Sequence, residues 1–133
     1  MAAAKKKLAK QFLNPGPKPP GYSHAVTSPP GKMVFVSGQG GTGLDDGKMP
    51  PDFPTQAHNT FKHIDRLLKM SGATFADVVK INYYLKDIAN LTELRKIRAQ
   101  YLNMDAPPAA TAIQTGLSGE MLLEVECIAV VPE

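Results

Sequence analysis

Apolar positions recur along this chain with two different periods, and the change of period marks out its elements. Val78–Lys86 alternates: Val79, Ile81, Tyr83 and Leu85 fall on one side, and Lys80, Asn82, Tyr84 and Lys86 on the other. A period of two belongs to a strand with one covered face and one partly wet face. Between Pro54 and Ser71 the period lengthens. Ala57, Phe61, Ile64 and Leu68 follow at steps of four, three and four, with Asn59, Lys62, Arg66 and Lys69 off that stripe, which predicts an amphipathic helix. Pro54 suits the first helical position and Gly72 the position just past the end. A second helix is predicted from Leu91 to Leu102, with Leu91, Leu94, Ile97 and Tyr101 as its stripe and Asn90 with Glu93 as a capping box.

Four further stretches read as strands. Tyr22–Thr27 and the apolar Met33–Ser37 flank Pro29-Pro30-Gly31, which predicts a hairpin. Thr111–Thr115 and Leu122–Val131 flank a Gly116–Glu120 connection. In the last strand Leu123, Val125, Cys127, Ala129 and Val131 share one face, and Leu122, Glu124, Glu126, Ile128 and Val130 share the other. The order β-β-α-β-α-β-β implies an α+β fold, two helices packed on one face of a mixed sheet. Ile128 and Val130 then leave apolar surface on the far face, so association with further copies is expected.

A chain of 133 residues fits one domain. Its boundaries are read as a basic tail over residues 1–13 and a single domain over 14–133. The basicity belongs to the start of the chain: five of the 15 basic residues (Lys5, Lys6, Lys7, Lys10 and Lys18) fall in residues 1–20, which hold no acidic residue. Residues 21–133 therefore carry 10 basic and 12 acidic groups, a net −2. A lysine-rich tail on a slightly acidic body argues against nucleic acid as a partner, since no aromatic residues cluster with the basic ones. No run approaches the ~20 apolar residues of a membrane span, and no apolar segment follows the first lysines as in a secretory leader. With one cysteine and no disulfide framework, the expected compartment is the cytoplasm.

Candidate chemistry narrows quickly. Gly38-Gln39-Gly40-Gly41-Thr42-Gly43 matches a dinucleotide fingerprint, but Leu44–Pro51 cannot open the helix such a site needs, so no cofactor is expected. His58 and His63 are five apart, about 140° round a helix, unlike the i,i+4 pair of a zinc helix. Asp45 and Asp46 lack the further ligands of a calcium loop, and no metal is expected. Cys127 shares a face with Val125 and Ala129 and reads as a packed thiol. Glu124 and Glu126 stay open between a solvated sheet face and a cleft in which one glutamate handles water.

Several short motifs together resemble the Rid (YjgF-type) family: Val36-Ser37-Gly38-Gln39 after a strand, Gln56 at the start of a helix, Gly72-Ala73 followed by Asp77-Val78-Val79-Lys80, Pro108-Ala109-x-Thr111, and Glu124-Val125-Glu126-Cys127-Ile128-Ala129. The resemblance spans nearly all of residues 14–131. It implies a chorismate-mutase-like fold, a homotrimer whose sheets form a central barrel, and clefts between subunits. It further implies hydrolysis of small reactive imines or enamines to carbonyl compounds and ammonia. By the same resemblance Glu124 holds the attacking water, while Tyr22, Ser37 and Thr111 line the cleft. Two positions depart. Ala110 stands where the family motif has an arginine that grips a substrate carboxylate, and Arg95 stands where asparagine is usual. Arg95 is thereby a candidate for the missing anion contact. Three functions remain open: an imine or enamine deaminase of altered specificity, a trimer that binds small metabolites without turnover, and an RNA-associated activity through the lysine tail.

Overall fold

The computed structural model describes residues 9–133, so Lys5, Lys6 and Lys7 of the expected tail lie outside the described residues. Ten elements follow one another. They are β1 (Gln11–Leu13), β2 (Ala25–Thr27), β3 (Gly31–Gln39), α1 (Phe53–Met70), a 3-10 turn (Phe75–Asp77), β4 (Val78–Leu85), a second 3-10 turn (Ile88–Asn90), α2 (Leu91–Arg98), β5 (Ala109–Gln114) and β6 (Leu123–Pro132). The main sheet has the order β3-β6-β4-β5, antiparallel except for the β4–β5 pair. Both α-helices pack on one face of it, an α+β architecture as the alternation of periods implied.

Asp52 caps α1, its carboxylate accepting from the Thr55 amide and hydroxyl at 2.9 and 2.7 Å, and Gly72 leaves the helix at φ +77°. Ala57, Phe61, Ile64 and Leu68 are fully buried, on the order of 1.5–3 kcal/mol for each of the larger side chains. They pack against Ile81, Tyr83 and Leu85 of β4 and Leu123, Val125, Cys127 and Ala129 of β6.

The sequence expectations are corrected in four places. The 22–27 and 33–37 strands do not form a hairpin: β2 pairs with β1 and β3 pairs with β6. A two-residue hairpin turn needs positive φ, which Pro29 and Pro30 cannot adopt and Gly31 does not. Strand β1 also draws in residues assigned to the tail, and Lys10 and Lys18 donate to the carbonyls of Ala76 and Met104. In β4 the register shifts between Val78 and Lys80, so Val78 rather than Val79 turns into the core. Helix α2 ends at Arg98, and Asn90 makes no side-chain cap. Asp87 already caps the preceding 3-10 turn, so the chain enters α2 with Asn90 in helical conformation.

Candidate functional site

The sheet face opposite the helices carries the polar chemistry. Glu124 and Glu126, two apart on β6, point to that face while their neighbours enter the core. Asn82 and Tyr84 of β4 stand opposite Glu126 and Glu124 in register. Both donate to Glu126: Asn82 Nδ2 to Oε1 at 3.2 Å and the Tyr84 hydroxyl at 2.5 Å. That hydrogen bond, with the two nearby carboxylates, holds the Tyr84 phenol above its ordinary pKa.

Glu124 differs from its neighbour. It is half-buried and has no hydrogen-bond or ion-pair partner among the described residues. Its position follows from an irregularity in β3. The β3–β6 register shifts between Val36 and Gln39, which puts Ser37 and Gly38 out of the regular ladder. Gly38 then lies against the Glu124 carboxylate so closely that a Cβ there would be 2.1 Å from Oε1. Ser37 is exposed beside it, at the edge of a hollow lined by Phe35, Lys80, Asn82, Glu126 and Ile128.

The other candidates lie at the opposite edge. Ser23 bridges to Ala109 in parallel, and its amide donates to the Pro108 carbonyl at 3.0 Å, so the segment carrying Tyr22 flanks β5. The Tyr22 ring meets His24 edge-on at 5.7 Å between centroids. Thr111 faces the polar side of the sheet and accepts from Lys80 Nζ at 3.1 Å. Ala110 is on the helix side, in register with Ile81. Strands are about 4.8 Å apart, so Tyr22 is roughly 14 Å across the sheet from β6 and roughly 19 Å from β3. One chain therefore sets Ser37 in the hollow with Glu126, next to the Gly38 that lies against Glu124, and does not bring Tyr22 there.

Arg95 is exposed on α2, because it falls off the Leu94–Ile97 stripe. Arg98 is buried instead, one turn beyond Leu94. Neither Arg98 nor Gly38 was among the candidate site residues read from the sequence, and for Arg98 the i,i+4 spacing from Leu94 was the available signal. The histidines serve the fold: His58 Nδ1 is hydrogen-bonded to the Tyr101 hydroxyl at 2.7 Å, and His63 Nε2 to the Thr42 carbonyl at 2.8 Å. Among the described residues no three His, Cys, Asp or Glu side chains gather as a metal site requires. Cys127 is packed in the core, and burial pushes its thiol up to about 12. Among the described residues no helix is long and apolar enough to cross a membrane.

Comparison with known proteins places these features in a family. The sequence profile described as endoribonuclease L-PSP matches residues 16–131. A RutC family protein of Pyrococcus abyssi is 31% identical over 121 residues, covering 89% of this chain and 93% of that one. The chloroplastic Reactive Intermediate Deaminase A of Arabidopsis thaliana is 31% identical over 109 residues, 81% of this chain and 57% of its own length. Among solved structures, the Rid-family protein YyfB of Yersinia pestis superposes with a TM-score of 0.74 at 27% identity, covering 93% of this chain and all of that one.

Proposed function

Because this chain belongs to the endoribonuclease L-PSP family, which takes in the RutC and Rid proteins, we propose that it adds water to a small imine or enamine and releases ammonia, in a cleft completed by a neighbouring copy. The observation that carries this reading is the Glu124 carboxylate, half-buried and unpartnered against Gly38. A carboxylate so held is free to accept a proton from water as the oxygen attacks the C=N carbon. It then returns the proton to nitrogen, giving a carbinolamine; the hydroxyl proton of that adduct is passed on to the amine, the C–N bond breaks as C=O forms, and a carbonyl compound and ammonia leave. Ser37, adjacent in the chain to Gly38, lines the same wall, and Tyr22 and Thr111 of a second copy orient the substrate from the other.

The wide separation of Tyr22 from Glu124 within one chain supports an intersubunit cleft. So does the apolar surface on the polar sheet face, where Phe35 and Met33 are 69% and 56% exposed. A homotrimer with the three sheets turned inward as a barrel satisfies both. The test is ammonia release from a panel of freshly generated imines, with and without a carboxylate. Wild type is expected to exceed the uncatalysed rate, and Glu124→Gln to lose turnover without changing the size of the assembly. Full activity in that variant contradicts the reading.

Ala110 favours a second reading, binding without turnover, because its methyl group offers no contact to a charged substrate. Saturable thermal stabilisation by a small metabolite, with no ammonia released from any imine in the panel, is its signature.

A further inference from the structure

The one buried cation among the described side chains is Arg98. It is 6% exposed, and its Nε has no acceptor. The ion pair found among the described residues joins Lys69 to Asp65, so no carboxylate among the described residues answers Arg98. Its guanidinium carbon is 5.7 Å from the centre of the Tyr83 ring. The Tyr83 hydroxyl is also buried, and its polar neighbour is the guanidinium. Gly21, at φ +80°, closes over the guanidinium, and a Cβ there would come within 2.2 Å of Nη2. The cluster thus sets a full guanidinium charge against one neutral acceptor, the Tyr83 oxygen, with no carboxylate among the described residues. A buried charge without a counter-charge is strongly unfavourable, and buried donors are normally paired. A partner suited to this site carries negative charge and accepts hydrogen bonds.

The nearest edge of the sheet is that of β5. Arg98 lies on the helix side of β4, where β5 contributes only the methyl groups of Ala110 and Ala112, in register with Ile81 and Tyr83. The outer side of β5 is flanked by Gly21–Ser23. We propose that Arg98 and the Tyr83 hydroxyl form an oxyanion site that takes the carboxylate of a small organic acid entering beside Gly21–Ser23. As an anchor for the substrate of the Glu124 reaction this rests on the function proposed above. As an anion site it stands on its own geometry. The cation comes from the helix rather than from the edge strand, which reconciles an acidic substrate with Ala110.

Calorimetric titration of the full chain tests it, with pyruvate, its neutral ester methyl pyruvate and inorganic phosphate as probes. Wild type is expected to bind pyruvate saturably and the ester at least several-fold more weakly. Arg98→Met should weaken pyruvate by roughly tenfold or more, and Arg98→Lys by less. Tyr83→Phe removes one hydroxyl and keeps the ring, so it should weaken pyruvate several-fold in a chain that still folds. Phosphate binding in place of pyruvate overturns the carboxylate assignment. Wild type that binds neither anion, or a folded Arg98→Met chain with wild-type affinity, overturns the site. Should Arg98→Met not fold, unchanged pyruvate affinity in Tyr83→Phe overturns it equally. These titrations need no turnover, so an active Glu124→Gln enzyme would sink the hydrolytic reading and leave this result intact.

Discussion

Gly38→Ala separates the fold from the chemistry more cleanly than removal of the glutamate itself. Gly38 is not at positive φ, so alanine meets no backbone strain there. Its methyl would stand 2.1 Å from Glu124 Oε1 and 2.8 Å from Cδ. Ordinary contact begins near 3.4 Å, so the carboxylate must retreat by roughly 1 Å. The atoms displaced are the far end of a flexible side chain, not backbone or core. The stability cost is therefore small, about 1 kcal/mol or less, and is offset by the lower entropy of the unfolded alanine chain. Catalysis is far less tolerant, since a shift of about 1 Å in a reacting group can cost on the order of 100-fold in rate. The expected result is a melting temperature within a few degrees of wild type, with ammonia release slowed by one to two orders of magnitude. Gly38→Ala with unimpaired turnover would refute the assignment of Glu124, because the group said to handle water would have moved without consequence.

Three further perturbations probe other parts of the account. Gln56 is fully buried, donates to the carbonyls of Pro50 and Glu120 and accepts from the Leu122 amide. Gln56→Leu should therefore lower unfolding free energy by about 2–4 kcal/mol in urea titration. Burial raises the Cys127 thiol to about 12, so its contribution to stability is fully present below the unfolded pKa near 8.5 and is lost as pH rises from there towards 12. Melting temperature against pH should fall more steeply above pH 9 in wild type than in Cys127→Ala, and native Cys127 should resist thiol-specific labelling at pH 8. Phe35, 69% exposed on the face assigned to the barrel, should tolerate Phe35→Asp as a fold, while light scattering should show the assembly reduced towards a single chain.

The fold was legible because its core obeys simple periods: the Ala57–Leu68 stripe and the Ile81–Leu85 and Leu123–Ala129 alternations are all buried as spaced. What escaped were pairings and irregularities. The partner of β3 is some ninety residues away in β6, and no local pattern declares it. The two register shifts, at Ser37–Gly38 and at Val79, depend on how strands fit together rather than on either strand alone. The site was partly legible for the same reason. Alternation put Glu124 and Glu126 on one face, but the bulge that brings Gly38 onto Glu124 became visible only in three dimensions. On α2 the eye goes to Arg95, whereas helical spacing from Leu94 buries Arg98.

The claim on which the rest turns is that one copy supplies Glu124 and its neighbour supplies Tyr22 to a shared cleft. Tyr22→Ala and Glu124→Gln chains, each inactive alone, should be co-expressed and the mixed assemblies assayed for ammonia release. If the cleft is shared between copies, random mixing leaves about a quarter of the clefts with both native residues, and activity should return towards that fraction. If Tyr22 and Glu124 serve a cleft within one chain, every cleft keeps one defect, and mixtures as inactive as their parents would contradict the account.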